Sequence, residues 1–141
     1  MTDNSKPASP LVTKVTALLP VSSIEPSAAF FATVGFQVMV RVPEQGPMGF
    51  AILSNGSQEL MLQNFASIHE DDPAFTIVSD KAPSVLFIEV SDIEAVEKAI
   101  SQYQLLMPRR QTFYGALEIT VREPGGHLVT FAQFKQPDTE P

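Results

Sequence analysis

Glu118 and Thr120 stand two residues apart in Ala116–Arg122, so a strand there sends both side chains to one face. Leu128, Thr130 and Ala132 share a face of Leu128–Phe134 in the same way. Arg110 ends the preceding strand-like run, and Phe113-Tyr114 lie in the connection after it. A carboxylate on a half-apolar face favours its protonated form unless a cation sits nearby. Arg110 or a positively charged ligand can supply that cation. Glu118 therefore has three readings: receptor for a cationic group, general base, or half of an ion pair that holds a sheet edge. Phe113 and Tyr114 read equally well as an aromatic wall for a planar ligand and as hydrophobic cover.

Other chemistries find less support. The absence of cysteine removes thiolate metal sites, disulfides and thiol nucleophiles together. His69, beside Glu70, Asp71 and Asp72 in an expected loop, and His127, at a hairpin, both read as surface residues. Ser22, Ser23, Ser54 and Ser91 fall at caps and turns, where backbone capping explains them. Gly125-Gly126 separates two strands and does not open a helix, so it is not a phosphate-binding loop.

The elements that would position these residues form a repeat. Val21-Ser22-Ser23-Ile24-Glu25 recurs as Val90-Ser91-Asp92-Ile93-Glu94, 69 residues later. Each copy follows an apolar run and opens a helix-like stretch, with Ser22/Glu25 and Ser91/Glu94 fitting capping boxes and Ser23 or Asp92 as alternative caps. The first helix is expected to bury Ile24, Ala28 and Phe31 and to stop at Gly35; the second, to bury Ile93, Val96, Ile100 and Tyr103. Leu11–Leu19 reads as the opening strand. Three strands follow the first helix (Phe36–Val42, Gly49–Leu53, Glu59–Gln63) and three follow the second (Leu105–Arg109, Ala116–Arg122, Leu128–Phe134). The expected fold is α+β: tandem βαβββ modules over 10–66 and 84–134, with pseudo-twofold symmetry and a cleft where they meet. Residues 67–83 read as a linker, and 1–9 and 135–141 as disordered tails.

Composition narrows the partners. Nine basic against sixteen acidic residues give a net charge of −7, which disfavours nucleic acid; Arg109-Arg110 is too short a basic patch to reverse that. No apolar run is long enough to span a bilayer, and no signal peptide opens the chain, so the expectation is a cytoplasmic protein without membrane contact.

With these motifs in order, the sequence resembles the vicinal oxygen chelate superfamily: glyoxalase I, extradiol dioxygenases, fosfomycin-modifying enzymes and bleomycin resistance proteins. The carriers are Leu19-Pro20-Val21-Ser22-Ser23-Ile24 followed by Ala29-Phe30-Phe31 and Val34-Gly35-Phe36. The second half adds Phe87–Asp92, Tyr114–Glu118 and Val121–His127, similar to the family's "DPDG" hairpin with Glu123 and Gly125 replacing both aspartates. The resemblance implies a metal ligand early in each module's first strand and another in its last. Counting back from the repeat puts Thr16 and Val85, and counting forward from Glu123 puts Thr130, at three of these positions; the fourth lies near Met61, with Glu59 or Gln63 as alternatives. Valine cannot bind a metal and lone threonines bind poorly, so no metal or other cofactor is expected.

The resemblance then implies a mostly apolar cleft lined by Thr16, Leu18, Phe50, Met61, Val85, Phe87, Arg110, Tyr114, Glu118, Thr120 and Thr130. It is most similar to the bleomycin-resistance branch, which implies a homodimer sequestering a small organic molecule, here cationic or aromatic. The alternative is a lyase, isomerase or dioxygenase-type enzyme, with a displaced metal site (Glu59, Gln63, Glu118) or metal-free acid–base catalysis by Glu118.

Overall fold

The computed structural model describes residues 10–135; of the expected tails at 1–9 and 135–141, all but Lys135 lie outside them. The first module comprises β1 (Ala17–Val21), α1 (Ile24–Ala32), β2 (Gln37–Val42), β3 (Phe50–Asn55) and β4 (Gln58–Asn64), with sheet order β1-β4-β3-β2. A connection containing α2 (Phe65–Asp71) leads to β5 (Val85–Glu89), α3 (Ile93–Ala99), β6 (Gln104–Gln111), β7 (Ala116–Arg122) and β8 (Leu128–Phe134). Their order, β5-β8-β7-β6, repeats that of the first sheet. In both, the first strand pairs in parallel with the last and the other pairings are antiparallel. This is the expected α+β pair of βαβββ modules. Among the described residues no helix is long and apolar enough to cross a membrane.

Strand alternation divides each sheet into two faces. On β4, Leu60 and Leu62 are buried under α1, whereas Glu59, Met61 and Gln63 point the other way; on β8, Val129 and Phe131 are buried and Thr130 is opposed to them. α1 buries Ile24, Ala28 and Phe31 as expected, and also Ser27 and Phe30. It stops before Gly35, whose φ of +104° suits glycine alone. α3 buries Ile93 fully, and Ile100, Val96 and Tyr103 join the same core.

Several expectations need correction. The first strand begins at Ala17, not Leu11: its partner β4 starts at Gln58 and pairs Leu60 with Ala17, so Leu11–Thr16 has little ladder to join. Neither capping box forms. Ser23 caps α1 without a side-chain bond, and Glu25 instead accepts the Met48 amide at 2.7 Å; Asp92 caps α3 by accepting from Ala95. The stretch at 67–83 is not simply a solvated loop. Asn64 caps α2 by accepting from Ser67, Asp72 and Pro73 start a 3-10 turn to Ile77, and Ile68 is buried. Lys135 is not frayed, since its amide donates to Gly115 O at 2.9 Å.

The modules join through their helix-bearing faces. Phe30 of α1 meets Tyr103 at 4.9 Å and Phe131 of β8 at 6.4 Å, edge-on and tilted respectively. Beside this contact the β7–β8 hairpin enters the first module. Glu123, 1% exposed, accepts from the Ser27 hydroxyl at 2.7 Å and from the amides of Gly125 and His127. His127 accepts from the Ser84 amide at Nδ1 and bonds Pro20 O through Nε2 at 2.5 Å, which places its hydrogen on Nε2. His127 is thus a buried joint and not the surface residue expected, because the hairpin carrying it is inserted between modules.

A Cβ on Gly125 would lie 2.4 Å from Val21 Cγ1 and 2.8 Å from Ser27 Oγ. Gly125→Ala should therefore lower unfolding free energy by about 1–3 kcal/mol through overpacking. Urea denaturation would measure it, and an unchanged midpoint would contradict this account of the joint.

Candidate functional site

The helix-free face of the second sheet gathers most of the chemistry-bearing residues. Register pairs Phe87 with Thr130, Val85 with Leu128, Thr120 with Thr130, and Arg110 with Glu118. Val85, Phe87, Arg110, Glu118, Thr120 and Thr130 therefore share one surface, and Tyr114 joins them by folding back from the β6–β7 loop. The Thr120 and Thr130 hydroxyls bond each other at 2.7 Å. Phe134, two alternations beyond Thr130, completes an aromatic row: its ring lies 6.2 Å from Phe87 and 6.0 Å from Tyr114. The same alternation that exposed Thr130 in the sequence could have identified Phe134.

Thr16, Leu18, Phe50 and Met61 belong to the other sheet. Leu18 pairs with Met61, and Phe50 sits beside Gln63 on the face turned away from α1; Thr16 precedes β1. A single chain therefore divides the eleven expected site residues between two sheets. α2 contributes what sequence reasoning missed here: Ile68, with Phe75 and Val78 after it, encloses a cavity of about 400 Å³ against Leu18, Pro20 and Gln63.

Glu118 is the polar centre of the second face. It is only 2% exposed, yet it lies on the side of the sheet away from α3. The Tyr114 hydroxyl donates to Oε2, and Arg110 Nη2 reaches Oε1 at 3.4 Å. Arg110 remains more than half exposed, so solvent screens the pair and the long contact adds little. The Tyr114 bond matters more. By accepting the phenolic hydrogen, Glu118 raises the Tyr114 pKa above its ordinary value; burial and the carboxylate's charge act in the same direction. The carboxylate is thus held by one neutral donor and one distant cation, on a surface otherwise of Ala, Thr, Val and Phe.

The positions where the family resemblance implies a metal do not supply its donors. Val85 presents methyl groups, Thr130 is bonded to Thr120, and Met61 offers a thioether. Of the alternatives, Glu59 pairs with Lys14 at 2.7 Å, and Gln63 donates to Ser67 at 2.9 Å. Among the described residues, no three His, Cys, Asp or Glu side chains converge. His69 bonds Val78 O at 2.7 Å on the exposed side of α2.

The Tyr114–Glu118 bond has an optical consequence. The chain has two tyrosines, Tyr103 and Tyr114. Spectrophotometric titration should place Tyr114 above the ordinary tyrosine pKa of about 10. Its folded pKa is raised, so the stability from this bond is complete below the unfolded value and declines as pH rises past it toward the folded one. Glu118→Gln, which removes the charge, should bring the Tyr114 transition down; an unmoved transition would show that Glu118 does not hold the hydroxyl.

Residues 14–131 match the profile of the glyoxalase/bleomycin resistance protein/dioxygenase superfamily. No curated protein sequence gives a significant match. Among solved structures, TioX from Micromonospora sp. ML1 is similar with a TM-score of 0.70 and 17% identity, over 88% of this chain and 100% of that one. A glyoxalase/bleomycin resistance protein/dioxygenase from Nocardioides gives 0.67 and 18%, over 97% and 93%. A bleomycin-binding protein complexed with bleomycin gives 0.62 and 16%, over 88% and 100%. At these identities the likeness is one of fold. Profile and fold agree, and the chain belongs to the glyoxalase/bleomycin resistance protein/dioxygenase superfamily.

Proposed function

We propose that this protein binds and sequesters a small organic molecule, aromatic and cationic or N–H-bearing, on the Glu118 face and without a metal. The observation that carries this reading is the Glu118 carboxylate, buried in an apolar face and met from the ligand side by a single phenolic hydroxyl. A ligand donor can take the place of the Tyr114 hydroxyl, while its ring lies against Phe87, Tyr114 and Phe134. Arg110 then stays at the rim. The bleomycin-binding protein of similar fold supports the class of function, although bleomycin itself is not implied.

The ligand surface belongs to a homodimer in this reading. Leu18, Val40 and Val42 on the first sheet, and Val85 and Phe87 on the second, are all exposed in the single chain. Such apolar faces favour a partner. A second copy would cover them and could unite Thr16, Leu18, Phe50 and Met61 of one chain with Glu118 and Thr130 of the other.

Two measurements test these proposals. A thermal-shift panel of aromatic amines, neutral aromatics and aromatic acids should single out the amines. At a free ligand concentration of about 100 times Kd the gain is roughly 2.7 kcal/mol. Glu118→Gln should weaken that binding by about tenfold or more, as expected for a lost charge-assisted hydrogen bond; a flat response across the panel would count against the function. Light scattering after gel filtration should give twice the 15.4 kDa chain mass, and a monomer at all concentrations would remove the dimer.

A further inference from the structure

The internal repeat means that each junction in the fold has a counterpart. At one junction the Glu123–His127 hairpin fills a socket built by β1 and α1, with Gly125 against Val21 and Ser27. The counterpart socket is built by β5 and α3, where the repeat puts Glu89, Val90 and Val96 in the places of Pro20, Val21 and Ser27. Its hairpin is too short to fill it. Only Gly56 and Ser57 separate β3 from β4, against five residues between β7 and β8. A Cβ on Gly56 would meet nothing within 4 Å. Asn55, in the place of Glu123, turns back to Val34 O at 3.4 Å within its own module.

Helix register removes further volume. Ala99 of α3 stands where α1 has Phe30, and Val34 stands where the second module has Tyr103. The Phe30 and Tyr103 rings fill the first junction by meeting at 4.9 Å. Their small counterparts leave the second open, as a cavity of about 460 Å³ bounded by Val34, Phe36, Ile88, Val96, Ala99 and Phe131. That volume suits a small organic ligand. None of its lining residues belongs to the eleven on the sheet faces.

The filled socket indicates what the open one would take. In the filled one, Pro20 O receives the imidazole N–H of His127, and Ser27 donates to the Glu123 carboxylate. In the open one, Glu89 replaces Pro20 and contributes its backbone, since its side chain alternates to the Phe87 face. Asp92, the cap of α3, puts a carboxylate at the rim, and Val96 replaces the donating serine. The site keeps its acceptors, gains negative charge and loses its inner donor. We propose that this socket is a second binding site, for a small aromatic amine or azole. The ring lies against Val34, Ile88, Val96 and Ala99, and the cationic or N–H head at the Glu89–Asp92 rim.

Tryptamine and indole-3-propionate, which share a ring and differ in charge, make suitable probes for amide NMR at millimolar concentration. Tryptamine should shift the amides of Val34, Val96 and Ala99, and indole-3-propionate should not. Ala99→Phe, which restores the missing ring, should raise the tryptamine Kd at these residues by about tenfold or more. Gln58→Phe at the exposed mouth provides a second block should Ala99→Phe fail to fold. Absent shifts, equal shifts with both probes, or unchanged binding in a folded blocked variant would each overturn the proposal. Shifts at Phe87, Thr120 and Thr130 report separately on the sheet face, and Glu118→Gln should weaken binding there by about tenfold or more while leaving the socket's in place.

Discussion

The Glu123 carboxylate accepts hydrogen bonds from α1 of the first module and from two amides of its own hairpin, sealed from water between the halves. Removing it would leave the Ser27 hydroxyl and two amide hydrogens without their acceptor, and each unsatisfied buried group costs about 1–3 kcal/mol. The hairpin's insertion also dictates what surrounds it. Gly125 must lack a side chain, His127 must bridge Pro20 and Ser84, and the helix-bearing faces must meet. The opposite faces of the two sheets are consequently left for other partners, the first of them partly covered by α2. The candidate site owes its openness to this joint.

Two buried carboxylates thus serve opposite ends. Glu123 is surrounded by fixed donors, two of them backbone amides, and has no means of exchanging them. Glu118 lies only five residues away in sequence, but its donors are a tyrosine on a loop and a half-exposed arginine. Preorganised backbone amides suit a structural role, whereas side-chain donors can yield to a ligand. The difference lies in who donates and not in burial, since the two are equally inaccessible.

Strand alternation made β7 and β8 legible to the residue, and with them the shared face of Glu118, Thr120 and Thr130. The repeat likewise revealed the two modules. What sequence could not convey was which surfaces meet. His127 reads as exposed because hairpins usually are, and nothing local indicates that this one enters the other module. α2 was missed for a related reason: its acidic, proline-terminated sequence resembles a loop, and only Asn64, Ser67 and the burial of Ile68 make it a helix. The opening strand was overextended because β-branched residues at 12–16 favour a strand that their partner is too short to pair.

The joint also bears on how the chain acquires its structure. Its bonds span 96 residues from Ser27 to Glu123 and 107 from Pro20 to His127. Contacts so distant in sequence close late, after the loop entropy between them has been overcome. The β7–β8 hairpin can form locally, but its buried carboxylate and imidazole gain their partners only when the first module is already in place. The halves should therefore fold as one cooperative unit despite their duplicated design, with the last third of the chain completing the first.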